Sequence, residues 1–366
     1  MSPTADPIEA VSQRLIAFFT HQRDAARAEG PEAVSFIEAG VGAVGGGKRL
    51  RARFCVTGWR AVAEAGGRRP GDAPPEVIAA AAALEIFQAA ALVHDDLIDN
   101  SDTRRGRPSA HRALEAGHRD AGWLGDQAGF GRSAAILLGD LLVAWSDDLL
   151  EEGLISAADA ARAAAARREY ALMRRDVTIG QFLDIAEEAA FRQSPDGEHA
   201  DRALRVASLK SARYSVQQPL LVGAALAGAD PQQHAALAEF GHPVGMAFQL
   251  RDDVLGVFGD AAVTGKPSGD DLREGKRTVL IAYAREALPV SARRTLDELI
   301  GDPQLDQEQI GALQRTIIDS GALDRVEALI SAYAAEADRA LRGAHLGDAA
   351  LGELRNLARA ATARSS

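Results

Sequence analysis

The sequence predicts an all-α fold, built as one large helical domain, and three observations carry that expectation. Apolar residues recur at helical spacing along nearly all of the 366-residue chain. Runs rich in β-branched residues between turn signals are almost absent, so a sheet has little to be built from. Aromatics are only 5% of the chain against 47% hydrophobic residues overall, so Ala, Leu and Val supply the core, and Ala and Leu favour helix. The elements follow in order. Residues 76–97 read as a helix after Pro74-Pro75, with Val77, Ile78, Leu84, Phe87, Ala91 and Leu92 on its apolar side. Residues 133–150 form a second helix, apolar enough to be largely buried. The same period runs through 157–186, 204–228, 234–257, 278–287 and 323–341. Breaks at 40–47, 66–75, 100–108, 117–131, 194–198, 259–275 and 301–303 separate these helices. None has the length or bias of an interdomain linker, and no fixed-period repeat occurs, so a single domain over 1–366 with frayed ends is expected.

Composition narrows the function. With 41 Lys+Arg against 52 Asp+Glu the net charge is −11, which argues against a nucleic-acid partner because phosphate binding needs a basic surface. The single cysteine, Cys55, excludes an intrachain disulfide and a Cys-based zinc site. Residues 1–10 lack the basic-then-apolar order of a secretory signal, and no run of 18 apolar residues occurs. A soluble, cytoplasmic protein without a membrane span is the expectation.

The strongest chemical signal is His94-Asp95-Asp96-Leu97-Ile98-Asp99, at the C-terminal end of the first helix. Asp95, Asp96 and Asp99 project from neighbouring faces of one turn, and such crowding is costly unless a cation neutralises it. Hard oxygen ligands with room for water suit Mg²⁺, which bridges to substrate phosphates. The plain alternative is a solvated acidic helix end, which the apolar run 89–93 leading into the acids disfavours. A second pair, Asp252-Asp253, ends another apolar helix, with Gln249 one turn before it. Cations lie near both acidic sets: Lys48, Arg49 and Arg51 after a triple glycine, Arg104-Arg105, and Lys266 and Lys276 around the glycine-rich segment after Asp253. Arg holds phosphate oxygens through a planar fork, and Lys acts as a mobile point charge. In an acidic protein this arrangement points to an anionic ligand bridged by metal.

Two other motif readings compete. Residues 42–49 nearly match a nucleotide P-loop, but Arg49 replaces the hydroxyl that would ligand Mg²⁺ and no strand precedes it. A His-Asp phosphohydrolase reading of His94-Asp95 would need further paired histidines, and His111, His118, His234 and His242 form no recognisable pair with it. Cys55 reads as a small core residue.

Taken together, the motifs resemble those of the trans-isoprenyl diphosphate synthases, the polyprenyl synthetases, over roughly residues 46–278. Gly46-Gly47-Lys48-Arg49-Leu50-Arg51 is similar to that family's isopentenyl-diphosphate loop. His94 to Asp99 followed by Arg104-Arg105-Gly106 resembles its first aspartate-rich motif and arginine pair. Lys210-Ser211 stands where the family usually has Lys-Thr, and Phe248 to Asp253 resembles the second aspartate motif. Gly265-Lys266-Pro267 and Gly275-Lys276-Arg277 complete the set. One departure stands out: Gly256 occupies the fifth position of the second motif, where the family commonly has Asp. Asp260 would return to the same face only if the helix continued past Gly259.

The resemblance implies an all-α homodimer of the isoprenoid synthase type with a central cavity. It implies that Asp95, Asp96 and Asp99 on one wall, with Asp252 and Asp253 on the other, hold several Mg²⁺ ions, with Mn²⁺ as a substitute. Arg104, Lys210, Gln249 and Lys266 would hold an allylic diphosphate (dimethylallyl, geranyl or farnesyl), assisted by Ser211 and Lys276. Lys48, Arg51, Gln88 and Arg105 would hold isopentenyl diphosphate. The implied reaction is condensation of the two to an all-trans polyprenyl diphosphate, with Lys210 and Lys266 joining the aspartates in catalysis. Ala90 and Ala91, one turn above the acids, are too small to stop chain growth, and Phe87 is the next large residue. The 133–150 helix, with Leu137, Leu141 and Trp145, would tune that floor. Geranylgeranyl diphosphate is the expected product, with longer chains and then farnesyl diphosphate as alternatives. A class I terpene cyclase and a non-catalytic synthase subunit are the other classes left open.

Overall fold

A computed structural model of the chain describes residues 6–67, 73–104, 106–260 and 268–362. Nearly all of this backbone is helical, and the strands among the described residues are two of two residues each, β1 (Thr103–Arg104) and β2 (Arg107–Pro108). The chain groups into two compact units, Met1–Arg167 with Val222–Ala229, and Arg168–Leu221 with Asp230–Ser366.

In the first unit the helices are α1 (Pro7–Ala26), α2 (Pro31–Val44), α3 (Leu50–Ala65), α4 (Pro75–Ile98), α5 (Ala110–Asp120) and α6 (Gln127–Ser156). Proline opens α1, α2 and α4, where its fixed φ suits the first turn and its missing N–H costs nothing. Asp6 completes the start of α1 by accepting from the Ile8 N–H at 3.0 Å. α4 is the core of this unit. Ala79 to Ile86 are all buried, the pattern of a helix surrounded by protein on every side. Among the described residues α4 is also the one helix long and apolar enough to cross a membrane, and most of it lies inside the protein.

α6 lies along α4, and two glycines set how closely. A Cβ on Gly139 would overlap the His94 ring, and one on Gly153 would press on Ala79. Trp145 of α6 packs edge-to-face on Phe18 and Phe19 of α1, with centroids 6.0 and 5.7 Å away. Cys55 on α3 is fully buried, and burial pushes its thiol up to about 12, as befits a small core residue rather than a nucleophile.

The second unit holds most of α7 (Ala160–Ala190), then α8 (His199–Val206), a π-helical stretch Ala207–Gln217, and α9 (Gln218–Ala227), which begins here and ends in the first unit. It continues with α10 (Pro231–Phe258), α11 (Asp270–Glu274), α12 (Val279–Ala287), α13 (Val290–Leu299), α14 (Gln307–Asp319), α15 (Ala322–Ala340) and α16 (Asp348–Thr362). Asp230 starts α10 with a reciprocal cap: it accepts from the Gln233 N–H at 2.8 Å, while Gln233 Oε1 accepts from the Asp230 N–H at 3.1 Å, an arrangement worth about 1 kcal/mol. The core joins Leu250, Val254 and Val257 of α10 to Leu280 and Ala284 of α12, Ile310 and Leu313 of α14, and Val326 and Ile330 of α15.

The helical period locates the elements better than their ends. α6 begins at Gln127, inside the expected break, because Gly129 and Gly131 are accommodated within the helix. The expected helix over 204–228 is three segments, because the backbone widens to i→i+5 bonding in its middle, as where the Gln218 N–H donates to the Arg213 carbonyl.

Candidate active site

The first acidic set sits on the last turn of α4. Asp99 is the C-cap residue, and Asn100 follows with φ 51°, a left-handed conformation that Asn tolerates better than most side chains. The chain reverses there, and β1 and β2 pair with Arg104 opposite Arg107. Arg112 of α5 braces the start of this turn by donating to Asp102 at 2.7 Å. The reversal brings Arg104 back onto the acids. Its Nε donates to Asp96 Oδ1 at 2.8 Å, its Nη2 also reaches Asp96, and Nη2 lies 3.2 Å from Asp95 Oδ2. Asp96 is buried, whereas Asp95 and Asp99 are half-buried.

This donor set fits a hard divalent cation. It is all carboxylate oxygen within one turn, and a cationic guanidinium already sits between two of the three acids. Among the described residues no three acidic or histidine side chains close on one point as a ready-made cage, so an ion would complete its shell from water and substrate oxygens.

On α4 the half-buried residues Gln88, Ala91, Leu92 and Asp95 form one stripe at helical spacing. Gln88 therefore shares the Asp95 face, as its seven-residue separation predicts. Ala90 and Phe87 do not belong to this stripe. Ala90 is fully buried and Phe87 nearly so, which corrects the expectation that both alanines line the path of a growing chain. On α6, Leu137 points outward at 61% exposure and Trp145 packs on α1, which leaves Leu141 from the expected trio. His94 Nε2 lies 3.4 Å from the Ile136 carbonyl and 3.6 Å from Asp140, a packing contact rather than part of a histidine metal set.

The isopentenyl-loop candidates lie between α2 and α3. Lys48 is exposed just before the helix, and Arg51 is half-buried in its first turn. No strand leads into this loop, which removes the P-loop reading.

In the second unit Asp252 is half-buried and Asp253 buried near the end of α10. Gln249 Nε2 donates to Asp253 Oδ1 at 2.6 Å. Burial, and after it the neighbouring Asp271 carboxylate, pushes Asp253 up to about 8. α10 does continue through Gly256 but stops at Phe258, and Gly259 is extended. Asp260 thus lies outside the helix and does not return to the Asp253 face by helical continuation. Asp271 of α11 fills the space instead: a Cβ on Gly256 would overlap its carboxylate. Lys276 Nζ lies 2.7 Å from Glu274 and 3.8 Å from Asp271.

Lys210 and Ser211 stand on the π-helical stretch, both half-buried. Two glycines clamp that backbone: a Cβ on Gly180 of α7 would overlap Lys210, and one on Gly245 of α10 would overlap Ala212. Lys210 Nζ donates to Asp184 of α7 at 2.5 Å. Asp184, Asp271 and the buried Glu85 of α4 are polar residues that motif reading missed. Each meets its neighbour from another segment of the chain, Glu85 at α3, Asp184 at the π-helical stretch and Asp271 beside Gly256 of α10, and no motif marks it. Arg105 and Lys266 lie outside the described residues.

The sequence matches the polyprenyl synthetase family over residues 38–317. The chain belongs to that family. It is 33% identical over 315 residues to a geranylfarnesyl diphosphate synthase of Aeropyrum pernix, covering 85% of this chain and 88% of that one. It is 37% identical over 238 residues to a geranylgeranyl diphosphate synthase of Mycobacterium tuberculosis, covering 65% and 58%. Among solved structures, a geranylgeranyl pyrophosphate synthase of Corynebacterium glutamicum, complexed with isoprenyl diphosphate and magnesium, superposes with a TM-score of 0.90 at 38% identity over 98% of both chains. The polyprenyl synthetase fold is thus the one described above, and the chain is a trans-prenyltransferase acting on isoprenoid diphosphates with divalent metal.

Proposed function

We propose that this polyprenyl synthetase makes geranylgeranyl diphosphate, adding isopentenyl diphosphate to dimethylallyl, geranyl or farnesyl diphosphate. The observation that carries the product assignment is the half-buried stripe on α4, where Ala91, one turn above Asp95, offers no bulk to stop a growing chain. Similarity to geranylgeranyl diphosphate synthases supports the same length. Asp95, Asp96, Asp99, Asp252 and Asp253 would hold magnesium ions, which draw off charge from the leaving diphosphate as Lewis acids.

Arg104, Lys210, Lys266 and Gln249 would bind the allylic diphosphate and stabilise its charge as the C–O bond ionises, with Ser211 and Lys276 assisting. The isopentenyl double bond then attacks the allylic cation and a proton leaves to give a trans double bond. Lys48, Arg51, Gln88 and Arg105 would hold isopentenyl diphosphate for that attack. No side-chain nucleophile is required. Ile136 and Leu137, exposed on one side of α6, support a homodimer, and a cytoplasmic location accords with water-soluble diphosphate substrates.

Chromatography of dephosphorylated products from the purified enzyme tests the reading. Geranylgeraniol should dominate at excess isopentenyl diphosphate, whereas a dominant farnesol peak would overturn the assignment. A cyclic product formed without isopentenyl diphosphate would favour a cyclase. Lys48→Ala and Arg51→Ala should each raise the Michaelis constant for isopentenyl diphosphate about ten- to a hundred-fold, the worth of a charge-assisted phosphate contact of roughly 1.5–3 kcal/mol. The constant for the allylic substrate should change little. Equal effects on both substrates would mean that these cations serve a different pocket.

A further inference from the structure

The loop that carries Lys48 is bent in a way its glycines only partly explain. Gly46 and Gly47 take φ 77° and 85°, which glycine adopts freely, but Arg49 follows at φ 49° and ψ 45°. A side-chain-bearing residue holds that conformation at a cost, so something must fix it. Arg49 is also the N-cap of α3, and its side chain caps none of the exposed amides. The cap comes from another helix. Glu85 of α4 is buried, and its Oε1 accepts from the Ala52 N–H, in the first turn of α3, at 3.1 Å. Its Oε2 lies 3.5 Å from Arg49 Nη1, which also donates to the Val44 carbonyl at 3.0 Å. The Arg53 Nε donates to the Lys48 carbonyl at 3.2 Å, so the backbone is held on both sides of Lys48.

We propose that Glu85 is a positioning residue for isopentenyl diphosphate: one carboxylate oxygen fixes the start of α3, and the other pins Arg49 in its left-handed bend, together aiming Lys48 and Arg51. The inference rests on the reading that those two cations bind this substrate. A buried carboxylate is retained only where its charge and lone pairs are met, and here one oxygen meets an amide and the other a guanidinium. Of the loop cations, Arg49 is turned to the protein's own groups, Glu85 and the Val44 carbonyl, and Ala52 offers only its amide. Arg51 lies one residue before the capped amide and Lys48 one residue before the bend, so the direction of both depends on where the helix starts.

Glu85→Gln separates the two functions, because the amide oxygen still accepts from Ala52 while the charge that holds Arg49 is gone. The Michaelis constant for isopentenyl diphosphate should rise about five- to ten-fold, less than a direct phosphate contact would give, with kcat and the allylic constant within about two-fold. Arg49→Ala should produce the same change, and the double variant no more than either single, because both break one interaction. Glu85→Ala should raise the constant further and lower Tm. If it fails to fold, the isosteric Gln variant and Arg49→Ala carry the test. A fall in Tm with the isopentenyl constant within two-fold in every variant would make Glu85 a helix cap only and overturn the inference. Lys48→Ala and Arg51→Ala run alongside. If they raise the constant and Glu85→Gln does not, positioning alone fails. If they leave it unchanged, the pocket reading fails and positioning with it.

Discussion

Asp95→Ala is expected to lower kcat by about two to three decades while the helical fold persists, because on the proposed reading it deletes a metal ligand and no core volume. A metal acting as a Lewis acid contributes several kcal/mol to a developing anion, and each 1.36 kcal/mol is tenfold in rate. Asp95 suits the test better than Asp96. Asp96 is buried and takes two contacts from Arg104, so its removal would also strand a guanidinium and cost stability. Asp95 is half-buried, and Arg104 Nη2 reaches it at the longer distance of 3.2 Å. The measurements are steady-state kinetics over a Mg²⁺ titration, circular dichroism for the fold, and calorimetry for ion and diphosphate binding. Activity within a few-fold of the parent at saturating Mg²⁺ would remove Asp95 from the metal site.

Ala91→Phe is expected to shorten the product, and Ala90→Phe to destabilise the protein instead. The two neighbours look equivalent by composition, and only their burial separates them. Ala91 lies on the half-buried stripe with Leu92 and Asp95, where a ring has space to occupy. Ala90 has no exposed surface, and forcing six more carbons into close-packed core costs about 1–3 kcal/mol or more. Ala91→Phe should move the main product from geranylgeranyl towards farnesyl diphosphate with Tm nearly unchanged. Ala90→Phe should lower Tm with a smaller effect on length. Product chromatography and thermal melts of both variants decide the matter. Unchanged length in Ala91→Phe would place the growing chain elsewhere, and equal Tm losses would mean that the stripe is packed rather than open.

What could be seen in the sequence was whatever repeats or clusters locally. The 3.6-residue period exposed α4, and the seven-residue spacing of Gln88 and Asp95 put them on one face, as the stripe bears out. The acids and the arginine after them were legible because crowded like charge calls for a cation, and Arg104 does bridge Asp95 and Asp96. Contacts between distant segments left no such trace. Asp184 lies 26 residues before its partner Lys210, and Glu85 lies 33 residues after the amide it caps. The space beside Gly256 is filled by Asp271 from another helix, where spacing along the chain offered Asp260 only if α10 ran on past Gly259. Register between helices was hidden for the same reason: Trp145 packs on the α1 phenylalanines, and Leu137 is exposed.

The π-helical stretch at Ala207–Gln217 bears on how this chain should be compared with others. Bonding from i to i+5 puts more residues into each turn than an α-helix does, so the same axial length holds extra sequence. A relative that ran as plain α-helix here would need fewer residues to join α8 to α9. Its gap would then fall inside a helix, beside Lys210, rather than in a loop where insertions are usually sought. Aligning such a pair by helical phase alone would set Lys210 and Ser211 against the wrong partners, and only the widened backbone says where to place the missing residue.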